Sequence, residues 1–194
     1  MKPKLLPLLL VTALLAGELT GCILYLRFPV RRLFAVPFVL HGIGKLGGSV
    51  SVLLPELLGY PMLWLALLCL PGLTVCAVPM AFSLVFLHGM TIGAVLTRLC
   101  QGHVITGILK AGLFVMPYAA VQTILFLLAA RESVRSSLSL THTLQGRAGE
   151  RFSLRLFGVR FLVLAAGIVL SGILQAVWGG VCYPLVLHWL SRLG

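Results

Sequence analysis

The feature that most constrains this chain is a series of apolar runs long enough to cross a lipid bilayer. The first covers residues 5–26 and ends in "LLAGELTGCILYL". About twenty predominantly apolar residues suffice to span the hydrocarbon core as a helix. The run holds one carboxyl, Glu18. A charged residue costs about 2.5–3.5 kcal/mol near a helix centre, while each leucine returns about 0.3–0.6. The leucines therefore carry Glu18 into the membrane. Composition agrees, with 60% of the 194 residues hydrophobic and 10% charged, against about 25% charged in ordinary soluble domains. A water-soluble fold of this length could not bury so much apolar surface in one core. The chain reads as an all-α integral membrane protein, a single membrane domain over 1–194 whose first partner is the lipid bilayer.

Hydropathy and punctuation predict about five transmembrane helices, at about 5–26, 55–74, 78–98, 104–129 and 157–177. Pro71-Gly72 and Pro79 interrupt the long apolar stretch 55–98, because proline breaks a helix interior and is tolerated in a first turn. A tight turn is expected around Thr74 to Ala77; one kinked helix followed by a re-entrant half-helix is the alternative. Pro117 falls inside the fourth span. The polar segment 130–156 reads as a cytoplasmic basic loop, since arginines between spans are retained inside. After Gly179-Gly180 the chain is too short to cross again. Its Trp189 and Arg192 suit a short interfacial segment. This arrangement puts the N-terminus inside with Lys2 and Lys4. It puts Arg27, Arg31, Arg32 and Lys45 outside, against the usual charge bias.

The net charge of +11 would suggest nucleic acid in a soluble protein. No basic, aromatic-interleaved domain stands outside the spans, so no nucleic-acid partner is expected. Leu19-Thr20-Gly21-Cys22 matches the cleavage box of a bacterial lipoprotein. Such a cysteine normally leads into a polar tether, whereas Cys22 leads into "ILYL" and the apolar run continues. The other cysteines also sit in or beside apolar runs without C-x-x-C spacing and read as small hydrophobes. "HGIGKLGGSVS" lacks the G-x-x-x-x-G-K-[ST] spacing of a phosphate loop.

Chemistry within a membrane needs polar groups gathered at one depth. The candidates are Glu18, Glu56, His88, Arg98, Lys110, Gln122 and Gln175. No two acids share a span, and the remaining histidines are scattered. No H-E-x-x-H or G-x-S-x-G is present. The expectation is a protein that is not an enzyme and holds no cofactor or metal. Glu18 has two readings: an ionised member of a proton or ion path, paired with Arg98 or Lys110, or a protonated carboxyl hydrogen-bonded to a neighbouring helix. Small residues at Gly89-x-x-x-Gly93 and Gly167-x-x-x-Ser171 line up on helical faces and predict close helix packing.

The stretch "WLALLCLPGLTVCAVPMAFSLVFLHGMTIGAVLTRL" resembles the central segment of the stage II sporulation protein M family. There an apolar span ends in a Gly-Pro-like break, and a second span runs into F-L-x-G-x-x-x-G, here Phe86, Leu87, Gly89 and Gly93. "GILKAGLFVMPYAAVQTILFLLAARESVRSSL" is similar to the following span, with Pro117 ahead of a basic loop. "RFLVLAAGIVLSGILQAVWGGVCYPLVL" resembles the C-terminal span and closing Pro-Leu segment, here Pro184 and Leu185. Gln175 stands where the family has a carboxyl. The resemblance covers roughly residues 55–190. It implies a non-enzymatic, multi-pass scaffold of the sporulation septum in a bacterial cell membrane. Such a scaffold anchors peptidoglycan hydrolases, the stage II sporulation proteins D and P, for septal thinning and engulfment. Its contact regions would be the loop 27–51, the turn 98–103 and the C-terminal segment. The competing expectation is a small transporter or channel subunit, drawn from the proline-broken spans and from Glu18, His88 and Lys110.

Overall fold

A computed structural model describes residues 5–27, 50–74, 76–101, 108, 112, 116–145 and 153–190, with the side chains of 50–53, 56, 116 and 181–190 left aside. Five long helices are described: α1 Leu5–Arg27, α2 Val50–Gly72, α3 Ala77–Cys100, α4 Met116–Leu144 and α5 Leu154–Leu190. The described residues contain no strand. Three stretches are long and apolar enough to cross a membrane: Leu5–Arg27, Ala77–Cys100 and Leu154–Gly180. In α2 the apolar part is the shorter Leu57–Gly72.

The tightest contact in the molecule joins α1 to α3. On α1 one stripe is buried, running Leu6, Leu10, Leu14, Gly17, Gly21 and Tyr25. The opposite side, with Leu8, Leu15, Leu19, Ile23 and Leu26, is exposed. In water such a helix would be unstable; it suits a helix with lipid on one side. The glycines of the two helices interlock. A Cβ on Gly17 or Gly21 would collide with the carbonyls of Phe86 and Met90, and one on Gly89 or Gly93 with those of Leu14 and Glu18. Each glycine thus lies with its bare Cα against a carbonyl oxygen of the other helix. That geometry favours weak Cα–H···O contacts and close dispersion packing, the forces that join helices where no hydrophobic drive exists. Gly89 and Gly93 pack as the sequence predicts. Their partners Gly17 and Gly21 form an equally spaced G-x-x-x-G that the sequence reading passed over.

These pairings also fix direction. Leu14 meets Gly89 and Glu18 meets Gly93, so α1 and α3 run parallel. The short turn after Gly72 reverses α2 against α3, with Leu73 and Thr74 N–H donating to the carbonyls of Leu70 and Pro71 at 3.1 and 2.9 Å. Position 72 of α2 lies at Ser133 and Phe157, and position 172 of α5 lies at Leu58. Hence α4 runs with α2, and α5 runs with α1 and α3. One end of the bundle gathers Leu5, the α2–α3 turn, the last turns of α4 and the start of α5. Arg27, Val50, Cys100 and Met116 lie at the other.

Two expectations need correction. Residues 130–144 are not loop: α4 continues through them to Leu144. Polarity suggested a loop, but no glycine or proline occurs between Tyr118 and Thr143. Ser133, Ser136 and Ser137 are buried alongside Ala129, Ala130 and Val134, a small-residue face that lets α2 and α5 approach. Pro117 is the second residue of the described helix α4, where its missing N–H costs nothing; residues 113–115 ahead of it lie outside the described residues. The stretch 102–107 and Lys110 lie outside the described residues. Finally, α5 passes through Gly179-Gly180 without a break and reaches Leu190. A glycine inside a helix costs only about 1 kcal/mol, too little by itself to stop one. The expected interfacial segment is therefore the end of a helix.

The interlock predicts the cost of filling it. Gly21→Leu or Gly93→Leu should lower stability in detergent by at least about 2 kcal/mol through overpacking. The lipid-side Ile23→Ala should leave the melting temperature nearly unchanged. Equal melting of all three variants would refute the close approach.

Candidate functional site

Near the midpoint of α3, His88 points away from α1 into a junction of three helices. Its imidazole is 7% exposed. α2 supplies Tyr60 and Trp64, one turn apart, and α4 supplies Phe126. The His88 ring lies 4.4 Å from Phe126 at 31°, 6.1 Å from Tyr60 at 20°, and 5.9 Å from Trp64 at 69°. Trp64 meets Phe126 edge-on at 5.7 Å. Offset and edge-to-face pairs of this kind are worth about 0.5–1.5 kcal/mol each, so the rings cement α2, α3 and α4.

What packing does not explain is the polar atoms. Among the described residues neither ring nitrogen of His88 has a hydrogen-bond partner, while the Tyr60 hydroxyl lies beside the Thr91 and Trp64 side chains without a hydrogen bond of good geometry to either. A neutral imidazole carries one donor and one acceptor, and a phenol can do both. Leaving such groups dry is costly. The junction thus holds polar capacity that packing alone does not use. The sequence singled out His88 but missed Tyr60, Trp64 and Phe126. Their signal was an aromatic pair at i, i+4 in the helix preceding a mid-span histidine.

The other candidates do not converge on this junction. Glu18 is half-buried at the edge of the α1–α3 seam, where its backbone carbonyl meets Gly93. Arg98, named as its possible partner, instead donates to Gln101 Oε1 at 3.3 Å. Among the described residues Glu18 takes part in no ion pair. Lys110 and the side chain of Glu56 lie outside the described residues. Cys22 sits in the same seam and donates to the Gly93 carbonyl at 3.3 Å. Gln122 of α4 donates to Ser171 Oγ of α5 at 2.5 Å, and the Ser171 hydroxyl donates in turn to the Ile168 carbonyl at 2.9 Å. Gln175, one turn further along α5, is buried and likewise engaged. The Gln122–Ser171 pair clamps α4 to α5. Gly167 of the same stripe takes the Leu125 side chain, 3.2 Å from where its Cβ would be. Among the described residues no three His, Cys, Asp or Glu side chains are grouped to hold a metal.

One backbone feature has a direct chemical cause. Pro61 lies inside α2 and lacks the N–H that would reach back to the carbonyl of Leu57, four residues earlier. In lipid that acceptor must be satisfied from elsewhere. Tyr118, in the first turn of α4, donates its hydroxyl to the Leu57 carbonyl at 2.6 Å.

The fold is thus an all-α bundle with membrane-length apolar helices around a buried histidine. A comparison with protein-family models, with curated proteins and with solved structures finds no match for this chain.

The Pro61–Tyr118 relation gives a two-step test. Tyr118→Phe should cost about 1–3 kcal/mol, the penalty of an unsatisfied buried acceptor. Adding Pro61→Ala restores a helical N–H to Leu57 and should recover most of that loss. A double variant no more stable than Tyr118→Phe would exclude the explanation.

Proposed function

We propose that this chain is a five-span membrane scaffold of the stage II sporulation protein M kind, with no chemistry of its own, holding peptidoglycan hydrolases at a bacterial septum. The support is the resemblance over residues 55–190, together with the packing role of its most specific element. The F-L-x-G-x-x-x-G ending supplies Gly89 and Gly93, the two glycines on which α1 is seated. Five spans are supported by the alternating direction of the helices. With that alternation the N-terminus, the α2–α3 turn and the α4–α5 end share one face, which the positive-inside rule makes cytoplasmic. Partner contacts then fall to the opposite face, near Arg27, Arg98 and the far end of α5.

Two experiments test this. In a cysteine-free background, Gln145→Cys should label only from the cytoplasmic side and Gln101→Cys only from outside; labelling of both from one side removes the five-span topology. Affinity purification of the full chain from sporulating cells should recover cell-wall hydrolases.

A second reading has its own observation. The unpartnered nitrogens of His88 lie at mid-bundle, the depth at which small transporters place their sites. On that reading, proteoliposomes of the purified chain carry a proton flux that His88→Phe abolishes. Flux without hydrolase recovery selects the transporter, and hydrolase recovery without flux selects the scaffold.

A further inference from the structure

The imidazole of His88 is the point on which three rings from two other helices converge. Phe126 of α4 lies 4.4 Å from it, and Trp64 and Tyr60 of α2 lie 5.9 and 6.1 Å away. Among the described residues, no element packed against it brings a counter-charge. α2 brings one titratable group, the Tyr60 phenol. α4 brings Phe126, while its Gln122, one turn away, is bonded to Ser171. On α3 itself Thr91 stands one turn along, and its hydroxyl donates to the Leu87 carbonyl. α1 packs on the other side of α3, where Glu18 meets Gly93. Neither ring nitrogen has a hydrogen-bond partner among the described residues, so no carboxylate among them holds either one.

A neutral imidazole can take a proton from water, and here the resulting cation would lack a counter-ion. Burying a lone ion carries a large desolvation cost. A cation–π contact offsets part of it, within a reach of about 6 Å from the ring centroid. Phe126 lies well inside that reach, and Trp64 and Tyr60 lie at its limit. One well-placed ring does not replace a hydration shell. The charged form therefore needs water, and water needs a way in.

α2 is weakened at the turn that faces His88. Tyr60 is followed by Pro61, inside the helix, and the helical bond that Pro61 cannot make is replaced from α4 by the Tyr118 hydroxyl on the Leu57 carbonyl. Helices bend sharply where proline has removed such a bond. The ring stacked on His88 and the turn of α2 that lacks a bond are thus neighbours in the chain.

We propose that this junction is a proton-responsive joint. When His88 takes a proton from water, α2 parts from α3 at the Tyr60–Pro61 turn and water solvates the imidazolium; when the proton leaves, the rings close again. Acid favours the open form because that form binds the proton more tightly. The joint rests on neither the scaffold nor the transport reading.

The test uses the full chain in lipid nanodiscs with Trp178→Phe and Trp189→Phe, which leaves Trp64 alone of the three tryptophans. As the pH falls from about 8 to about 4, across the ordinary imidazole value of about 6.5, Trp64 emission should shift to the red and acrylamide should quench it more strongly. His88→Phe keeps a ring in the junction and should abolish both changes. Pro61→Ala restores the helical bond and should diminish them. Amide hydrogen exchange of residues 57–64 in the unsubstituted chain, corrected for its intrinsic pH dependence, should rise in acid relative to that of 5–27, a measurement that needs no variant to fold. An unchanged Trp64 signal, the same change in His88→Phe, or an undiminished one in Pro61→Ala overturns the proposal. So does dimming of Trp64 with no gain in acrylamide access, since the imidazolium would then be held inside a closed junction.

Discussion

The close approach of α1 and α3 is the contact on which the other positions depend. Four glycines, Gly17, Gly21, Gly89 and Gly93, remove the Cβ atoms that would hold the backbones apart, and carbonyl oxygens occupy the space. Lipid offers no hydrophobic drive for two apolar helices to associate, so contact area and weak polar contacts must supply the attraction. The interlock also sets rotation. With Gly89 and Gly93 turned to α1, His88 is turned to α2 and α4, and Glu18 is left at the margin of the seam. One steric relation thus decides which polar residue enters the bundle and which stays at its edge.

A second constraint is the accounting of backbone polar groups where water is scarce. Thr12, Thr20, Thr91 and Thr97 return their hydroxyl protons to carbonyls three or four residues back, at 2.7–3.1 Å. The carbonyl that Pro61 leaves open is closed by Tyr118, and the buried amide of Gln122 is closed by Ser171. Against this economy the ring nitrogens of His88 and the hydroxyl of Tyr60 stand out. With Ser133 Oγ they are buried polar side-chain atoms without a hydrogen-bond partner among the described residues, and their meeting in one ring cluster is what marks the aromatic junction as the candidate site.

The two ends of the bundle differ in kind. One carries the extended α4, with its buried serines and with Glu132 paired to Arg160 of α5. The other carries the starts of α2 and α4 and the continuation of α5 beyond Gly180. Polarity along α4 therefore does not mark a change of secondary structure. The helix continues through its polar stretch because its small-residue face, as far as Ser137, still has α2 and α5 to pack on.

Much of this was legible in the chain itself. Run length and the scarcity of charge determine helices and a lipid environment, because a backbone in hydrocarbon must bond internally. The turn between α2 and α3 follows from Pro71-Gly72, and the packing role of Gly89 and Gly93 follows from their spacing. Element ends governed by neighbours were not legible. α4 runs through a polar stretch whose serines other helices cover, and α5 runs through two glycines because each costs a helix only about 1 kcal/mol. The partner of Gly89 and Gly93 was hidden for a similar reason: G-x-x-x-G shows that a helix can be approached closely but does not name what approaches. Only the tertiary structure decided that Gly17 and Gly21 fill that role, that Glu18 and Arg98 do not pair, and that Tyr60, Trp64 and Phe126 surround His88. Each is a relation between residues distant in the chain, fixed by the rotation and register of whole helices rather than by local sequence.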